Sequence, residues 1–93
     1  MIFNVEISSK AQKQLRLFPD HIVMKLTAWV DSVERVGLEE TKKIKGFHDE
    51  ALKGRRQGQR SIRLNKAYRA IYVILNDGSA EFVRVEEASK HEY

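Results

Sequence analysis

The residues of this 93-residue chain best equipped for chemistry are a carboxylate, two histidines and a set of arginines. Glu50, with Asp49 beside it, follows His48 by two positions, and His91 stands in the last few residues of the sequence. Between them, Lys53 to Arg69 carries seven cations (Lys53, Arg55, Arg56, Arg60, Arg63, Lys66 and Arg69) and no acid. RNA can be cut with no metal and no protein nucleophile, because its own 2′-hydroxyl can attack the adjacent phosphodiester. The protein must then supply a base for the hydroxyl proton, an acid for the leaving oxygen, and cations for the phosphorane charge. A glutamate of ordinary acidity, about 4.3, is ionised near neutral pH and serves as base. A histidine at about 6.5, raised by a neighbouring phosphate, supplies the proton. These residue types permit such a reaction without requiring it.

Each residue also has a plainer role. Glu50 could be an exposed acid paired with Lys53 three positions on, worth a few tenths of a kcal/mol. His91 could be a tail residue. Tyr68 and Tyr72 share a face of one strand and suit a core better than a base-stacking platform. Arg69 is harder to dismiss, since a guanidinium opening an otherwise apolar strand is costly unless it meets an anion.

Charge sharpens this reading. The chain holds 17 Lys+Arg against 13 Asp+Glu, but outside the basic segment only 10 cations face those 13 acids. The net positive charge is therefore local, and such a directed field recruits a polyanion, nucleic acid by default. The alternative is a solvated loop, but these cations continue into a strand.

Elsewhere the composition narrows the classes. There is no cysteine, so neither a disulfide framework nor a thiolate zinc site is available, and His21, His48 and His91 match no metal spacing. No metal or other cofactor is expected. No apolar run has membrane-spanning length, and the first residues lack a basic region followed by an apolar signal core, so the expected location is the cytoplasm, away from membranes. Residues 1–93 read as a single domain.

The elements that must position these groups follow from periodicity. Residues 2–7, Ile-Phe-Asn-Val-Glu-Ile, suit a first strand. Ser8 and Ser9 can cap a helix whose apolar face is Ala11, Leu15 and Phe18, ended by Pro19. Asp20 is a natural cap for a longer helix with Ile22, Leu26, Trp29, Val30, Val33 and Val36 on one side, closed by Gly37. The two make a helical hairpin, and residues 38–44 can add a third short helix. As a DNA-reading helix-turn-helix this pair is poor, since its second helix exposes Asp31 and Glu34. Residues 59–65 alternate Ser61, Arg63 and Asn65 with Ile62 and Leu64, a half-buried strand. Residues 67–75 read as a central strand, residues 76–79 (Asn-Asp-Gly-Ser) as a turn, and residues 80–87 as the last strand. The expectation is an α+β fold: an N-terminal strand, two or three helices, then a three-stranded antiparallel meander. The helices cover one face of a four-stranded sheet and leave the other free.

The basic segment resembles the RelE/ParE superfamily of bacterial toxins from type II toxin–antitoxin modules, most closely the YoeB-like and HigB-like ribonuclease branches. The likeness is carried by Glu50-Ala-Leu-Lys53, Gly58, Ser61-Ile-Arg63, the Tyr68-Arg69-Ala-Ile-Tyr72 strand and the terminal Lys90-His91-Glu92-Tyr93. From Glu50 to Tyr72 the YoeB-like pattern lies on this sequence without a gap. The resemblance implies that Glu50 is the general base, Arg69 the phosphate-stabilising arginine and His91 the general acid, with Tyr93 near the aromatic that often accompanies it. Lys53, Arg60 and Arg63 match positions that hold the RNA backbone. Two departures stand out: His48 lies where HigB-like and YafQ-like members use a histidine, so the base is Glu50 or His48. Glu92 separates His91 from Tyr93, which loosens the role of Tyr93. The implied activity is cleavage of messenger RNA on the ribosome, leaving a 2′,3′-cyclic phosphate and a 5′-hydroxyl and halting translation. The implied partner, besides mRNA and the ribosome, is a cognate antitoxin, whose acidic, partly disordered segment would cover the basic face.

Two other readings compete. A ParE-like chain of the same fold would inhibit DNA gyrase without nuclease activity, and ParE-like chains generally lack the terminal histidine. A basic RNA-binding module without chemistry would bind in a salt-sensitive way, but no RNP-type aromatic pattern is present.

Overall fold

The computed structural model describes residues 1–90. Strand β1 (Val5–Ile7) leads into helices α1 (Ser9–Leu15), α2 (Asp20–Val36) and α3 (Leu38–Lys42), then a 3₁₀ turn at Lys45–Phe47. Strand β2 (Glu50–Ala51), a second 3₁₀ turn (Gly54–Arg56), and strands β3 (Gln59–Arg63), β4 (Tyr68–Asn76) and β5 (Glu81–Lys90) follow. The strands form one sheet in the order β1-β5-β4-β3-β2, with β1 parallel to β5 and every other pair antiparallel. This is the α+β architecture expected, with the helices on one face. It differs by one strand: Glu50–Ala51 is too short to show any alternation, yet it pairs with Ser61 and Arg60 and makes a fifth, edge strand.

The helical layer forms for local reasons. Ser8 caps α1, its Oγ accepting from the Ala11 amide at 3.1 Å, and the same hydroxyl donates to the Glu86 carbonyl at 2.7 Å. One side chain thus starts the helix and ties it to β5. Ser8→Ala is expected to cost about 1 kcal/mol, read as a lower denaturant midpoint at unchanged slope. Helix α2 begins one residue earlier than a cap at Asp20 would place it: Pro19 holds the cap position, and Asp20 lies in the first turn, where a carboxylate favours the helix dipole. Ile22, Leu26, Trp29 and Val33, at helical spacing, are buried along one side. Gly37 ends α2 at φ 91°, where a Cβ would also approach the Phe3 ring to 3.3 Å, so glycine alone fits.

The core lies between this helical face and the sheet. Ile62 and Leu64, Ala70 and Tyr72, and Val83 and Val85 are pairs two apart, so all point to the helix side, where they are buried with Trp29. Tyr68 packs edge-on against Phe18 at 4.7 Å and Tyr72 lies 5.1 Å from Trp29, which places both tyrosines in or beside this core. Ala88 joins it three residues after Val85, which strict alternation would forbid. A register shift between Ile71 and Tyr72 takes up the extra residue, so that Glu87 and Ser89 stand opposite Ile71 and Arg69 on the uncovered face. The strand accordingly runs to Lys90, beyond the residue 87 at which its sequence pattern stops. Among the described residues no helix is long and apolar enough to cross a membrane.

Candidate active site

The approach to the site alternates inward and outward residues. Phe47 ends the 3₁₀ turn and is buried. His48 then leaves the turn in the left-handed region, at φ 48° and ψ 51°, the only non-glycine residue with positive φ among those described. Histidine tolerates this region better than most residues, but it still costs of the order of 1 kcal/mol. The Asp49 side chain turns inward and none of it is exposed; it accepts hydrogen bonds from Arg60 Nε at 2.7 Å and the Tyr72 hydroxyl at 2.6 Å. Glu50 turns outward again, in register with Ser61. Its Oε2 stands 3.9 Å from His48 Nε2, and both side chains are more than half exposed.

Facing them is a cationic wall. Arg63 and Arg69 are directly opposite each other on β3 and β4. Like charges in such cross-strand positions repel, so this pair opposes folding. Among the described residues neither makes an ion pair. Between the two strands the turn is fixed by Asn65, whose Oδ1 accepts from the Ala67 and Tyr68 amides at 2.7 and 2.9 Å. His48, Glu50, Ser61, Arg63, Lys66 and Arg69 enclose a concavity of about 230 Å³ on the uncovered sheet face. Two unpaired guanidiniums on one wall and a carboxylate with an imidazole on the other can hold an anion and accept a proton beside it.

The other residues singled out from the sequence fall elsewhere. Lys53 is exposed on the loop before the second 3₁₀ turn and does not line the concavity. It does not pair with Glu50 either; among the described residues the ion-pair contact of Glu50 is to His48. Arg60 lies on the helix side of β3, committed to Asp49. Burial draws its guanidinium's pKa down, but the hydrogen bond and charge of Asp49 outweigh this and set it above the ordinary arginine value. Burial first, then the hydrogen bond to Asp49, pushes the Tyr72 phenol well up, so it stays a donor. His91 and Tyr93 lie outside the described residues.

A second cluster on the same face absorbs part of the basic segment. Glu87 pairs with Arg56 at 2.7 Å and with Lys10 of α1 at 2.9 Å. The Lys10 hydrogen bond, opposed by burial and aided by the charge of Arg56, holds its carboxyl below the usual glutamate range. Arg56 is thereby neutralised, while Arg63 and Arg69 stay available at the concavity. Sequence reasoning grouped Arg56, Arg60, Arg63 and Arg69 in one run; pairing separates them. Ser61 and Asn65 also line the concavity, as their alternation with Arg63 signals, whereas Asp49, named in the sequence beside Glu50, turns inward, for which no local signal exists.

No protein-family model matches this chain, and no curated protein sequence matches it. Solved structures do match, across nearly its whole length. A YoeB/ParE toxin from Agrobacterium tumefaciens superposes with a TM-score of 0.71 at 17% identity, covering 96% of this chain and 99% of that one. YafQ from E. coli strain BL21(DE3) also gives 0.71, at 19% identity, covering 94% and 91%. The YoeB–YefM complex from Staphylococcus aureus gives 0.65 at 22% identity, covering 98% of each chain.

Proposed function

From a chain with the fold of the RelE/ParE-type toxins, we propose a toxin of a type II toxin–antitoxin module that cleaves mRNA on the ribosome by a metal-free route. The observation that carries this reading is the concavity in which Glu50 and His48 face the cross-strand pair Arg63 and Arg69. A phosphodiester seated on the two guanidiniums has its neighbouring 2′-hydroxyl within reach of the opposite wall. Glu50 takes the hydroxyl proton, O2′ bonds to phosphorus, and the P–O5′ bond breaks. Arg69, with Arg63, stabilises the negative charge that builds on the phosphorane oxygens. His91 returns a proton to O5′, giving a 2′,3′-cyclic phosphate and a 5′-hydroxyl. That last role rests on the sequence resemblance, supported by Ser89, which stands opposite Arg69 and brings the described end of β5 beside the concavity.

The same electrostatics define the antagonist. An acidic antitoxin segment would compete with RNA for the cationic wall, as counter-charges do on any polyanion site. A cognate antitoxin in the cytoplasm is therefore part of the proposal.

Mapping transcript ends shortly after induction without antitoxin tests it directly. The expected result is a rapid stop in translation with new 5′-hydroxyl ends within coding regions. Intact transcripts with a DNA-damage response would instead favour gyrase inhibition. His91→Gln is expected to lower the cleavage rate about a hundredfold; undiminished growth arrest by that variant would remove His91 from the acid role.

A further inference from the structure

A two-residue strand at the edge of a sheet is a weak support for a catalytic base. Strand β2 is held by its pairing with Ser61 and Arg60 and by the Leu52 amide, bonded to the Gln59 carbonyl at 2.9 Å. Before it comes His48, in a backbone region that costs energy. Besides the short ladder and the buried Phe47 that precedes them, what holds residues 48–50 from beneath is the Asp49 cluster. We propose that Asp49, gripped by Arg60 and Tyr72, is a positioning residue that fixes Glu50 and His48 against the arginine wall.

Geometry supports this in three ways. Asp49 is the inward residue between two outward ones, so anchoring it sets the direction of both neighbours. Its two partners are themselves held: Arg60 and Tyr72 are directly opposite on β3 and β4, and Tyr72 is wholly buried against Trp29. The grip therefore runs from the buried core around Trp29 to a two-residue edge strand. Stability alone does not explain the arrangement, because a buried ion pair can often be replaced by apolar groups without loss. A carboxylate with two directional donors fixes an orientation, which apolar packing does not.

The inference rests on the nuclease reading for its catalytic consequence but not for its structural one, and two measurements separate them. In Tyr72→Phe and Asp49→Asn, exchange of the Leu52 amide should quicken on the order of tenfold while central β4 amides keep their protection. In single-turnover cleavage on programmed ribosomes, the rate should fall on the order of tenfold to a hundredfold. Affinity for RNA carrying a 2′-deoxy block should stay within about twofold, since Arg63 and Arg69 are untouched. Asp49→Asn, which keeps the side chain's shape and one of its two acceptor oxygens, should retain more rate than Asp49→Ala. A merely structural role would change the folded fraction and leave the rate per folded molecule alone. Unchanged Leu52 exchange in both conservative variants would overturn the proposal, as would a normal rate per folded molecule. If the wild-type chain cuts no RNA, the nuclease reading fails, and the exchange result still decides whether Asp49 holds the segment.

Discussion

Arg69→Gln is expected to abolish most RNA cleavage, about a thousandfold, and to leave the protein as stable as before or slightly more so. The first part follows from charge: a phosphorane gains negative charge on its way to products, and a donor aimed at that charge contributes two to three orders of magnitude in rate. The second part follows from register. Arg69 faces Arg63 across β3 and β4, and neither has an ion-pair partner among the described residues. Removing one of two opposed like charges should return about 0.5 kcal/mol. Single-turnover kinetics and a denaturant midpoint on the same preparation check both halves. Rate and stability falling together would make Arg69 a fold residue; rate falling alone marks a position where folding yields to function.

The second large effect separates the two candidate bases. Glu50→Gln is expected to lower the rate about a thousandfold, and His48→Gln less than about tenfold. Glu50 is carried on a strand in register with Ser61, whereas His48 sits in the left-handed link before it, 3.9 Å from the carboxylate. That arrangement makes His48 a neighbour that can orient or charge-pair with Glu50, and makes Glu50 the better-placed acceptor. Because glutamine is isosteric with Glu50 and keeps a polar, non-titrating side chain at position 48, the comparison reads proton transfer more than packing. The reverse order of losses would transfer the role to His48.

Much of this was legible in the sequence because it is periodic. The spacing of Ile22, Leu26, Trp29 and Val33 marks α2, and the alternation of Ser61, Arg63 and Asn65 with Ile62 and Leu64 marks both β3 and its uncovered side. That same alternation assigns Arg60 to the helix side with Ile62, although similarity to RNA-contacting positions points the other way. What could not be read depends on tertiary pairing. Glu50–Ala51 is a strand only because β3 lies beside it, and Asp49 is enclosed only because Arg60 and Tyr72 meet there. The extra residue in β5 leaves a trace, the three-residue step from Val85 to Ala88, but a step of that kind also ends strands, which is why the pattern stops early.

Trp29 is the single tryptophan of the chain, wholly buried 5.1 Å from the ring of Tyr72, with no hydrogen-bond partner for its Nε1 among the described residues. Indole emission from this protein therefore originates at one point, behind the tyrosine that grips Asp49. An unlabelled sample already contains an optical reporter on the far side of the sheet from the concavity. A change in its colour or lifetime when RNA is added would register strain passing through the sheet, not a ligand touching the dye.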